Sequence, residues 1–144
     1  MITWRIANKN RADLSGHGGL YYSGRWHSQG KPIVYFAEHP ALAALEVLVN
    51  MDIDVHFLTQ YVMMKIEISD SANIERIDID PHDKIKCQKT GDAWLKASSS
   101  PICRVKSAIS PESYNYLFNP LHPDARQVEI VDIKPFAFDA RLFD

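Results

Sequence analysis

The chain is poor in cysteine, with only Cys87 and Cys103 among 144 residues. Two cysteines are too few for the disulfide framework of a small secreted domain or for a structural zinc site, and neither lies in a CxxC pair. There is no surplus of positive charge either. Lys and Arg number 16 against 18 Asp and Glu, a formal net charge of −2, which argues against nucleic acid as the primary ligand. No apolar run approaches the roughly 20 residues of a membrane-spanning helix. The opening residues, MITWRIANKN, lack the apolar core of a secretory signal. The 6 histidines form no HExxH pair or other close metal-ligand spacing. Gly16-His17-Gly18-Gly19 matches neither GxxxxGK[ST] nor GxGxxG, and Ser107 lacks the GxSxG elbow of a hydrolase nucleophile. A metal enzyme, a cysteine protease and the familiar phosphate loops are thereby unsupported. What is present is ordinary for a globular protein: 46% hydrophobic and 24% charged residues. One cytoplasmic domain over residues 1–144 is expected.

Residues 2–7 read as a short strand carrying Arg5. Residues 8–24 hold Gly16, Gly18, Gly19 and Gly24, a density that implies unusual torsions or close approach to a ligand. The run 33–37 reads as a buried strand. Pro40 suits the first turn of a helix over 40–50, with Leu42, Leu45, Leu48 and Val49 on one face. Residues 57–68 and 73–79 read as strands, 81–98 as a helical segment broken or restarted near Gly91, and 102–105 as a strand with Ser107 just past its end. Pro111, Pro120 and Pro123 argue against long regular structure over 111–124. Residues 127–133 alternate as a strand does. This mixture predicts an α+β domain around a central mixed sheet.

Two residues stand out chemically. Glu46 is the only charge between Pro40 and Met51, on the flank of the leucine stripe. It is either an edge glutamate or a carboxylate directed into a cleft, where it would bind hydroxyls or stabilise positive charge. Arg25 follows the glycine-rich stretch in Ser23-Gly24-Arg25-Trp26. It is either a loop arginine stacked on Trp26 or a planar fork for phosphate oxygens. Arg5, Tyr35 and Ser107 carry weaker signals alone: an arginine paired with an acid, a core tyrosine with a bonded hydroxyl, a serine past a strand.

Together these positions resemble the RES domain, named for an arginine, a glutamate and a serine. The resemblance runs from Trp4-Arg5-Ile6 through Gly24-Arg25-Trp26-His27-Ser28-Gln29-Gly30, Ile33-Val34-Tyr35-Phe36-Ala37-Glu38 and Ala43-Ala44-Leu45-Glu46-Val47-Leu48. It continues in Gly91-Asp92-Ala93-Trp94-Leu95, Val105-Lys106-Ser107-Ala108 and Asn115-Tyr116-Leu117-Phe118-Asn119-Pro120-Leu121-His122-Pro123, and ends in the tail 135–142. Lys106 stands where the family commonly has proline. The resemblance implies a fold similar to ADP-ribosyltransferase toxins and the toxin role in a type II toxin–antitoxin system, beside a helix-turn-helix antitoxin of the Xre type. It also implies consumption of NAD as substrate, with no resident cofactor. Arg5 and Arg25 would contact phosphate groups, Tyr35 would pack on nicotinamide or its ribose, Glu46 would hold the ribose and stabilise the transition state, and Ser107 would bond the substrate. NAD phosphorolysis, with inorganic phosphate as co-substrate, or hydrolysis is the leading expectation. ADP-ribosyl transfer to a protein and a non-catalytic antitoxin-docking module are the alternatives. A homodimer is expected by the same analogy.

Overall fold

The computed structural model describes residues 1–50 and 60–143. In chain order the elements are β1 (Ile2–Asn8), α1 (Gly18–Tyr21), β2 (Val34–Ala37), α2 (Pro40–Asn50), β3 (Tyr61–Ile68), β4 (Ile74–Arg76), α3 (Lys84–Ala97), β5 (Ile102–Lys106), β6 (Tyr114–Phe118) and β7 (Val128–Phe136). The strands form one sheet in the order β4-β5-β6-β2-β1-β3-β7. β4 and β5 run parallel and the other neighbours antiparallel, so the sheet is mixed, as expected.

Successive strand side chains leave opposite faces, and both faces are apolar. Val34, Phe36, Met64, Ile66, Ile102 and Phe118 fill one face. On the other, Cys103, Val105 and Leu117 pack with Trp26 and with Cys87 and Trp94 of α3. Ile6, Ala37 and Tyr61 on that side pack with Leu42 and Ala43 of α2 and with Phe138.

α2 starts where Pro40 predicts. His39 caps it, its Nδ1 accepting from the Ala41 N–H at 3.0 Å. The leucine face is buried only in part, however, through Leu42 and Leu48. Leu42 is buried while Leu45 and Val49 are 42% and 52% exposed. The sheet takes the face bearing Ala43 and Val47, a neighbouring strip of the same wheel, and this turns Glu46 inward.

α3 runs unbroken through Gly91, contrary to the expected break. A Cβ at that position would collide with the carbonyl oxygen of Trp26, so the bare glycine lets the helix lie against that loop. Asp83 caps the helix through the Lys86 N–H at 3.2 Å, and Ser98 closes it in the left-handed conformation. Residues 111–124 hold no long element, as expected, but the five residues of β6 within them form a central strand that the sequence did not announce. Pro111 and Pro120 constrain only themselves and the residues before them, which leaves 114–118 free to pair on both edges. β7 continues past the expected end at residue 133 and includes Pro135, which an edge strand tolerates. Residues 57–59 of the expected third strand lie outside the described residues.

Candidate active site

β1 and β2 are neighbours that barely pair. Trp4 opposite Ala37 is their one matched position, whereas β1 matches β3 from Ile2 to Asn8 and β2 matches β6 from Val34 to Phe118 at its first position to Ala37 and Asn115 at its last. A cavity of about 420 Å³ opens at this divergence, within the size range of small-molecule sites. Trp4, Arg5 and Ile6 line it from β1, Tyr35 and Ala37 from β2, and Glu46, Val47 and Asn50 from α2. The loop 22–27 and the stretch around Lys106, Ala108 and Asn115 complete the wall.

Glu46 reaches the cavity as the cleft reading required, and it is not solitary. Its Oε1 accepts from the Ser107 hydroxyl at 2.6 Å and from Asn115 Nδ2 at 2.8 Å. Asn50, one turn on, donates from Nδ2 to the Glu46 backbone carbonyl at 2.8 Å and lies 3.4 Å from Oε2. Hydrogen bonds to an ionised group contribute about 1.5–3 kcal/mol each, enough to fix this carboxylate in one orientation.

Ser107 is fully buried. Its hydroxyl is committed to Glu46, and its oxygen accepts the Ser110 N–H at 3.1 Å. In this geometry it orients the carboxylate.

Tyr35 is similarly committed at one end. Its hydroxyl lies 2.6 Å from His27 Nδ1 and accepts the Trp26 N–H at 3.2 Å. His27 Nε2 lies 2.9 Å from the Tyr22 carbonyl, an acceptor only, so Nε2 carries the proton and Nδ1 accepts from Tyr35. Burial pushes the His27 pKa down, which agrees with this neutral tautomer. Burial likewise raises the Tyr35 phenol. The hydroxyl is thus neutral and doubly bonded, and the ring is what Tyr35 offers the cavity. Gly24 belongs to the same arrangement, because a Cβ there would stand 2.7 Å from the Tyr35 hydroxyl.

Both arginines line the cavity. Arg25 Nη1 donates to the Pro81 carbonyl at 2.6 Å. Arg5 alternates with Trp4 and Ile6 along β1 and turns to the other face of the sheet. There its Nη1 donates to the carbonyls of Arg11 and Asp13 at 3.0 and 3.2 Å. Burial pulls the Arg5 pKa down, opposed by the Asp13 carboxylate. Among the described residues neither guanidinium has a carboxylate within ion-pair distance. His82 bridges Asp80 Oδ1 and the Ala108 carbonyl, and so ties the turn that holds Arg25 to the residue after Ser107.

Residues 2–139 match the RES domain. The chain belongs to the RES domain family. A protein named Toxin Res from Pseudomonas putida is 42% identical to it over 148 residues, with 99% of this chain and 100% of that one covered. A protein named Prs ADP-ribosylating toxin from a Sphingobium species is 32% identical, covering 96% of this chain and 94% of the relative. The fold matches a chain of the M. tuberculosis MbcT–MbcA toxin–antitoxin complex with a TM-score of 0.76 at 17% identity, over 94% of this chain and 84% of that one.

In this RES domain the structure brings Glu46 and Ser107 into contact and puts Arg5, Arg25 and Tyr35 on the same cavity. Sequence reasoning missed His27, Asn50 and Asn115 as site residues. His27 and Asn115 carried a signal, as parts of the motifs that supported the resemblance, and Asn50 carried none.

Proposed function

We propose that this RES domain is the toxin of a type II toxin–antitoxin pair and that it breaks the nicotinamide–ribose bond of NAD. The observation that carries this reading is the Glu46 carboxylate, fixed at Oε1 by Ser107 and Asn115 and facing a cavity also lined by two arginines that have no carboxylate partner among the described residues. The reaction needs these groups. As the bond from C1 of the ribose to the pyridinium nitrogen breaks, its electron pair goes to the ring, and nicotinamide leaves as a neutral molecule. Positive charge then grows on the ribose, where a preorganised carboxylate stabilises it. The guanidiniums supply forked donors for the pyrophosphate or for a second anion, and binding energy at that end holds the ribose in a reactive pose. The Tyr35 ring packs on nicotinamide or its ribose.

For the acceptor we favour inorganic phosphate. One arginine engages the dinucleotide and the other a phosphate dianion, whose oxygen forms the new bond to C1 and gives ADP-ribose 1″-phosphate. A second reading has the ADP-ribosyl group pass to a protein, favoured by the name of the Sphingobium relative. The toxin role is supported by the names of the relatives and by the fold shared with a toxin–antitoxin complex. The expected partner is an Xre-type helix-turn-helix antitoxin, with a homodimer expected on the same analogy.

The test is purified protein with NAD, with and without phosphate, and identification of products. Nicotinamide release that accelerates with phosphate and yields ADP-ribose 1″-phosphate supports phosphorolysis. Plain ADP-ribose at a phosphate-independent rate makes the protein a glycohydrolase, and label transferred to protein makes it a transferase. No nicotinamide under any condition leaves a non-catalytic module.

A further inference from the structure

Asn115 occupies the middle of the sheet, opposite Val105 on β5 and Ala37 on β2. Leu117, two residues on and on the same face, is a fully buried core residue. An apolar residue would suit position 115 equally well if only packing mattered. Instead there is an amide that pairs at one end alone. Nδ2 donates to Glu46 Oε1 at 2.8 Å, while Oδ1 is buried without a hydrogen-bond partner among the described residues. A buried acceptor left unpaired is unfavourable. Turning the amide over gives no relief, because it would set Oδ1 against the carboxylate oxygen. The orientation of the amide is dictated by Glu46, and the orphaned oxygen is its consequence.

The carboxylate is held asymmetrically. Oε1 receives two close donors, at 2.6 and 2.8 Å, whereas among the described residues Oε2 has only the Asn50 contact at 3.4 Å. The two close donors also differ in kind. A serine hydroxyl can turn and accept a proton from a neutral carboxyl group, but the nitrogen of an amide can only donate.

We propose that Asn115 is a positioning residue for the chemistry of Glu46. It selects the unprotonated Oε1 and locks the rotamer, so that Oε2 is the oxygen presented to the ribose. This rests on the reading of Glu46 as the catalytic carboxylate.

Nicotinamide release by Asn115→Ala and Asn115→Asp, followed across pH, tests it. Asn115→Ala is expected to lower kcat about 10- to 100-fold, the scale of a misplaced catalytic group. KM for NAD should stay within about twofold of the parent. Asn115→Asp sets two carboxyl groups together. They share a proton as pH falls, and that proton recreates a donor to Oε1. Its activity should therefore rise on acidification where the parent's does not. Parent-like kcat in Asn115→Ala overturns the proposal, as does an Asn115→Asp profile parallel to the parent's. The Asp variant is nearly isosteric and keeps the test open if the Ala variant fails to fold. The side-chain amide resonances of Asn115 separate this inference from the reading beneath it. They should move in Glu46→Ala whether or not NAD is the substrate. A shift without any nicotinamide release sinks the NAD reading and leaves the clamp standing, whereas unmoved resonances sink the clamp.

Discussion

Glu46→Gln keeps the shape of the side chain and removes the charge that, in the proposed reaction, stabilises the positive charge growing on the ribose. Nicotinamide release should fall on the order of 10²- to 10³-fold with the melting temperature close to the parent's. Release at the parent rate would remove Glu46 from the chemistry. Tyr35→Phe tests the opposite division of labour. The hydroxyl joins His27 to the Trp26 N–H, so its loss leaves two polar groups unpaired and should destabilise by about 1–3 kcal/mol. The ring remains, and KM for NAD should change little. The neutral, buried His27 also gives stability a pH dependence. Its folded pKa lies below its unfolded one, so its contribution is complete above about pH 6.5 and is lost as pH falls through the folded value. Asp13, held low chiefly by the Ser15 hydroxyl, acts only at more acidic pH. Melting temperatures between pH 7 and 5 should fall, with a flatter slope in His27→Gln. Glu46 was legible in the sequence because a single charge interrupts an apolar helix. Asn115 and Ser107 were not readable as its partners. They lie 69 and 61 residues away along the chain, and nothing in their spacing marks the pairing.

Individual elements were readable where local chemistry decides them. Pro40 opens α2, and the apolar run at 33–37 is the buried β2. They were misread where a distant neighbour decides. Gly91 looked like a break and is a contact point, because the Trp26 carbonyl takes the space a side chain would fill. Gly91→Ala should therefore destabilise, although alanine in an exposed helix would gain about 1 kcal/mol over glycine. Chemical denaturation measures the sign, and a stabilised variant would mean the loop yields easily. β6 went unread because prolines on either side suggested irregularity, while the pairing that makes it a strand comes from β2 and β5. The leucine face of α2 is buried only in part for the same reason, since the sheet chose among strips of comparable apolarity.

For the molecule as a whole, the proposed activity predicts toxicity. High expression without a partner should lower cellular NAD and arrest growth, and Glu46→Gln at the same level should do neither. Normal growth and normal NAD with abundant parent protein would contradict the toxin reading. The α+β architecture and mixed sheet were inferable from the alternation of strands and helices. The divergence of β1 from β2 was not, because it consists of pairing withheld, which leaves no pattern in either strand.

That divergence has a consequence in time. The cavity lies between two groups of strands that alternate along the chain, and β3 receives its second neighbour only with β7, residues 128–136. Every site residue named above has already been synthesised by then. At about 5–20 residues per second, the interval between making β3 and making β7 lasts several seconds. A growing chain thus carries its arginines and its carboxylate through synthesis while β3 is still an open edge of the sheet. A ribosome-bound chain ending at residue 127 should release no nicotinamide, and the same segment in solution should show no cooperative unfolding. The proposed activity should therefore appear only after the final strand has joined.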